Sequence, residues 1–117
     1  KLSAYCGAVS AAAGAVSGIA WLDGESEEII KKTIINTICT VGGMVCDGAK
    51  PSCASKVAAA LGTAILSLEM AKRGSAFSVG EGLVMDTAEN TIKSIGRMAS
   101  QGMENTDNII LQIMLGN

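Results

Sequence analysis

Apolar residues recur along this chain at steps of three and four, the period of a helix with one face turned inward, and nowhere do they alternate at the two-residue period of a half-buried strand. The pattern divides into five helical runs. The first, from about Ser3 to Leu22, is made largely of alanine, glycine, valine and serine; Cys6, Gly14, Gly18, Ala11 and Ala15 lie at spacings that let a neighbouring backbone come close. Each glycine weakens a helix by roughly 1 kcal/mol relative to alanine, so close packing or a bound group has to offset them. Asp23-Gly24 ends that run. Ser26 caps a second helix with Glu27 and Glu28 in its favourable first turn, an apolar stripe of Ile30, Ile34, Ile38 and Val41, and Ile35 and Cys39 flanking the stripe.

A third run, Pro51 to about Lys72, puts Val57, Leu61, Ile65 and Leu68 on one core-facing stripe and ends in Lys72-Arg73-Gly74. Residues 75–82 form a connector whose Phe77 and Val79 are placed to cover the core. The fourth run, about Leu83 to Gln101, turns Val84, Ala88, Ile92, Ile95, Met98 and Ala99 inward and carries Glu89, Lys93 and Arg97 as a solvated ion-pair face. Gly102 stops it, and Asn105 or Thr106 caps a last short helix bearing Ile109, Ile110, Ile113 and Met114. The expectation is an all-α fold: a compact bundle of four to five helices, one domain over residues 1–117.

Between the second and third runs lies a loop of different chemistry, Gly42-Gly-Met-Val-Cys-Asp-Gly-Ala-Lys-Pro-Ser-Cys53. Its glycines let the backbone bend and approach a ligand closely. Pro51, the only proline, suits a first helical turn, where its missing N–H costs nothing. Cys53 then falls two residues into that helix, where free N–H groups and the helix dipole favour a thiolate. The same loop also reads as a plain helix connector carrying two small apolar cysteines.

Composition narrows the chemistry. The chain has 9 basic and 11 acidic residues, no histidine, and one each of Trp, Tyr and Phe. A nucleic-acid surface needs a basic stripe and aromatic platforms, and neither is there. Without histidine, Ser-His-Asp and Cys-His catalysis and every His-ligated metal drop out, leaving cysteines and carboxylates as strong ligands. Four cysteines in a helical chain without a signal peptide read as thiols or metal ligands, which points to the cytoplasm. The uncharged run Leu2 to Leu22 is long enough to raise a membrane span, but its serines, alanines and glycines favour a tightly packed core helix, and no membrane partner is expected. The chain begins without an initiator Met in what reads as mid-helix, as expected of a piece cut from a longer protein.

Cys46 and Cys53 stand seven positions apart (53 − 46), and Cys6 precedes Cys46 by 46 − 6 = 40. The close pairs of zinc ribbons are missing. Three thiolates from a helix and a loop can hold three irons of a [4Fe–4S] cluster and leave the fourth open as a Lewis acid. Cys39, flanking its helix's apolar stripe, is the best candidate for a purely structural cysteine.

The segments Cys6-Gly-Ala-Val-Ser-Ala-Ala-Ala-Gly14, Gly43-Met-Val-Cys-Asp-Gly-Ala-Lys-Pro-Ser-Cys53 and Thr91-Ile-Lys-Ser-Ile-Gly-Arg97 with Gly102-Met103 resemble the C-terminal part of the L-cysteine desulfidase family, which is similar to the alpha chain of bacterial iron–sulfur L-serine dehydratase. The serine dehydratases carry a longer insert between the second and third cysteines, and some a further C-terminal cysteine that this chain lacks. The resemblance implies that Cys6, Cys46 and Cys53 hold the cluster. It also implies an iron–sulfur lyase, without pyridoxal phosphate, performing α,β-elimination on a small amino acid, L-serine or L-cysteine, to give pyruvate and ammonia. It implies, further, a missing N-terminal portion with substrate contacts; a homo-oligomer remains open. Lys50 is the candidate base or carboxylate partner, and Asp47 the candidate helix cap or ligand-orienting residue. A piece of this kind, alone, is expected to be inactive. The reading of another class is a non-catalytic helical assembly or binding module.

Overall fold

Local capping and backbone bonding decide where each run becomes a helix. The computed structural model describes residues 3–116; Lys1 and Leu2, with which the apolar run opens, and Asn117 lie outside the described residues. The helices are α1 (Gly7–Leu22), α2 (Glu27–Val41), α3 (Cys53–Lys72), α4 (Ala88–Arg97) and α5 (Glu104–Met114), with a single π-helical turn, Met98–Gly102, joining the last two. The fold is all-α, as expected, and the one isolated β-bridge among the described residues pairs Tyr5 with Val45.

Ser26 caps α2, its hydroxyl accepting the Ile29 N–H at 3.2 Å. The other boundaries shift from the expected ones. Ser3–Cys6 is extended rather than helical, because the Ser3 hydroxyl accepts the Tyr5 N–H and donates to Ala99 O at 2.7 Å while the following residues pair with the cysteine loop. Residues 50–55 first form tight turns in which the amides of Cys53, Ala54 and Ser55 reach carbonyls three residues back, so α3 starts at Cys53 and not at Pro51. Leu83–Thr87 is not helical; α4 waits for Thr87, whose hydroxyl accepts the Asn90 N–H at 3.0 Å. Asn105 and Thr106 fall inside α5, which begins at Glu104 with Met103 at its N-cap.

α1, α2 and α3 pack on one another, α4 lies against α2, and α5 continues from the π turn, giving extents of 49 × 30 × 20 Å. One core cluster joins Ala12, Val16 and Ala20 of α1 to Ala60, Ala64 and Leu68 of α3. A second joins Val9 and Ala13 of α1 to Ile38 of α2 and Ile95 of α4. Alanine at so many contact positions lets the backbones approach closely, which sets the orientation of α3: Ala60, Ala64, Ser67 and Ala71 face in. Consequently the expected stripe is largely reversed. Val57, Leu61 and Ile65 are exposed and only Leu68 is buried, and Val79 and Ile92 are exposed too. Val84, Ala88 and Ile95 point inward as expected.

The buried polar groups are all satisfied among the described residues. Asn36, fully buried on α2, donates to Ser67 O (3.3 Å) and Ser75 O (3.1 Å) and accepts the Phe77 N–H (3.0 Å), tying α2 to the end of α3 and its connector. α3 is also long and apolar enough, by length and composition, to cross a membrane. α1 has 16 residues and is short for a span.

Candidate functional site

The cysteine loop, residues 42–52, is held from several directions. Gly42 follows α2 at a point where a side chain would sit 2.1 Å from Ile38 O and 3.3 Å from the Tyr5 hydroxyl. The next residues run antiparallel to the N-terminal segment: Cys6 N–H donates to Met44 O at 2.8 Å and Cys46 N–H to Ala4 O at 2.6 Å, around the Tyr5–Val45 bridge. Gly48, at φ 95°, turns the chain back. The Met114 methyl of α5 lies 2.9 Å from where a Gly48 side chain would begin, so the end of α5 rests on the loop.

Cys53 is the first residue of α3 rather than two residues into it as expected, and its thiol donates to Gly48 O at 3.3 Å. The bonds of Ala4 and Cys6 to Met44 and Cys46 thus set Cys6 beside the loop. The loop contains Cys46, and Cys53 closes it. Cys46 is exposed, Cys6 and Cys53 are half-buried, and all four cysteines are free. Cys39 packs against the second core cluster, where burial pushes its thiol pKa up, in keeping with a structural part. Burial, followed by the charges of Cys39 and Cys6, likewise raises the Tyr5 phenol.

Asp47 does not cap α3. One of its carboxylate oxygens accepts from both Lys50 and, at 2.5 Å, Lys56. These hydrogen bonds, Lys50's first, hold the Asp47 carboxyl well below the usual carboxylate range. Lys50 thus spends its ammonium within the loop. Lys56, one turn along α3 from Cys53, also donates to Val45 O at 2.6 Å. Asp47's hydrogen bond raises the Lys56 pKa, and the nearby charges of Cys6 and Cys53 add to it. Lys56 went unmarked in the sequence. Its spacing of three from Cys53 on a helix was the available signal.

The three expected ligands fit a thiolate-held cluster in donor type and in the segments that meet: two non-helical segments joined by the Tyr5–Val45 bridge, and the start of the next helix. Their side chains are not gathered on one point. Among the described residues no three Cys, Asp or Glu side chains converge closely enough to hold a metal ion. A separate cleft of about 380 Å³, lined by Tyr5, Ala13, Ile34, Ile38 and Ile95, is apolar and unsuited to a zwitterionic amino acid.

The chain matches the serine dehydratase alpha chain family over residues 1–112, and it belongs to that family. A UPF0597 protein of Lachnoclostridium phytofermentans is 52% identical over 115 residues, covering 98% of this chain and 28% of that protein. UPF0597 proteins of Treponema denticola and Desulfitobacterium hafniense are 50% and 48% identical, each over 115 residues that make up 98% of this chain and 27% of theirs. The chain spans little more than a quarter of the length of these curated relatives. No solved structure matches it.

Proposed function

We propose that this chain is the cysteine-bearing part of an iron–sulfur-dependent amino-acid lyase of the cytoplasm, acting on L-serine or L-cysteine. Family membership supports a lyase of the dehydratase kind. The observation that carries the finer reading is the antiparallel pairing of Ala4–Cys6 with Met44–Cys46, which brings a thiol from before α1 beside the loop that Cys53 closes. In the proposed reaction the α-proton passes to a base and the β-hydroxyl leaves as water, or the β-thiol as hydrogen sulfide. The resulting aminoacrylate tautomerises to an imine and hydrolyses to pyruvate and ammonia. A [4Fe–4S] cluster, held by Cys6, Cys46 and Cys53, supplies Lewis acidity at the leaving group when bound.

Lys50 and Asp47 remain the candidate catalytic pair. With Asp47 anionic and braced by two ammonium groups, Lys50 is oriented at the exposed edge of the loop, where it can meet a substrate carboxylate. Fixing the substrate between a base and the cluster can supply roughly 7–11 kcal/mol of the barrier. The polar groups near these cysteines are too few for that, so the remaining contacts come from elsewhere in the parent protein. The present chain by itself releases no pyruvate.

The test is anaerobic reconstitution of the full-length parent, with iron and labile sulfide measured for the wild type and for Cys6→Ser, Cys46→Ser and Cys53→Ser, and pyruvate assayed against a panel of β-substituted amino acids. Loss of iron in each variant is expected, and full iron in all three overturns the ligand assignment. The reading as an assembly module draws on one observation, the outward Val57, Leu61 and Ile65 of α3. An iron-free, inactive parent favours it.

A further inference from the structure

Two lysines share Asp47, but they are not equivalent. Lys50 lies three residues from Asp47 in the same loop, so their pair closes only a local turn. Lys56 stands on α3 and reaches out of its helix to two groups of the loop, Val45 O and Asp47. Val45 is also the residue bridged to Tyr5. The Lys56 ammonium therefore sits where all three cysteine-bearing segments meet. Its side chain is 21% exposed against 36% for Lys50, which sets it apart from a solvated surface lysine.

We infer that Lys56 is the positioning residue of the cysteine site, clasping the loop to α3 through Val45 O and Asp47 and so fixing Cys46 and Cys6 relative to Cys53. A carbonyl and a carboxylate on one ammonium, borne by a helix packed into the core, make a fixed strut. Charge-assisted bonds of this kind are the stronger class, and their removal leaves Val45 O without its partner. The role rests on the cluster reading only for why the thiols must be fixed; the clasp itself is a property of the loop.

The experiment uses the full-length parent and its Lys56→Met, Lys56→Arg, Lys50→Met and Asp47→Asn variants. Three readouts are taken: amide exchange across residues 45–47, iron per chain after anaerobic reconstitution, and the melting midpoint. Lys56→Met is expected to speed exchange about tenfold, the loss of one to two hydrogen bonds, and to lower iron uptake below about half, with the melting midpoint little changed. Lys56→Arg should restore both, and Lys50→Met, which removes only the local pair, should speed exchange by less than Lys56→Met does. Asp47→Asn, which leaves α3 untouched, should speed exchange by a smaller factor and covers the case of a poorly folding Lys56→Met. Wild-type exchange in both Lys56→Met and Asp47→Asn overturns the inference. If the wild type itself takes up no iron, the cluster reading fails, and the exchange rates alone decide the clasp in the same two directions.

Discussion

The three-helix core and the cysteine loop are built on opposite principles. Between α1 and α3 four of the six buried cluster residues are alanines, Ala12, Ala20, Ala60 and Ala64, side chains with almost no freedom to lose, so that close backbone approach does much of the packing. The loop has few apolar contacts of its own. It is held by two inter-segment amide bonds, by Lys56 on Val45 and Asp47, and by a methionine tip on Gly48. One region is fixed by shape and resists enlargement; the other is fixed by a few directed bonds and can be released one bond at a time. Changes in the first should move global stability and leave the thiols alone, and changes in the second should do the reverse.

The largest effect is expected from Asn36→Ala, which strips partners from Ser67 O, Ser75 O and the Phe77 amide at a fully buried site. A loss of about 3 kcal/mol in urea unfolding should result, with thiol alkylation rates in the folded protein unchanged. Ala64→Leu forces a large side chain between α1 and α3 and should cost about 2 kcal/mol by the same measurement. Gly48→Ala sets a Cβ at φ 95° and displaces Met114, for about 1 kcal/mol and faster exchange confined to residues 45–53. Cys39→Ala should cost about 1 kcal/mol or less and leave the parent's iron content untouched. If that variant alone loses iron, the separation between core and loop thiols is wrong.

The smallest effect concerns acid. Asp47's folded pKa is depressed, so its contribution is fully present above the ordinary carboxylate range and is lost only as pH falls through the folded value, below that range. Loop protection measured by exchange, after correction for intrinsic rates, should hold from neutrality to about pH 4, the ordinary carboxylate value. Loss of protection near pH 5 would show that Asp47 is not braced as described.

The helices were legible in the sequence because the 3.6-residue period and the Ser26 cap are local. What misled was the assumption that the larger apolar side chains face the core. On α3 the alanines do, since two helices approach it closely and only small residues fit, and Val57, Leu61 and Ile65 are turned out. The proximity of Cys6 to the loop was legible through glycine and small-residue spacing. Its extended backbone was not, because the bonds that hold it run to Met44, Cys46 and Ala99, far along the chain. Lys56 was missed for a similar reason: its partners belong to a loop whose path no local pattern specifies.

The bridge between Tyr5 and Val45 has a consequence for the order in which the molecule comes together. It closes a ring of 45 − 5 = 40 residues, and such a closure costs about 3 kcal/mol of chain entropy, more than two amide bonds at roughly 1 kcal/mol each can return. The ring can stay shut only once α1 and α2 have packed. Cys46 and Cys53 are near neighbours at every stage from synthesis onward, whereas Cys6 joins them late. A chain that has not finished folding holds two of the three expected ligands close together, and only a finished one adds the third.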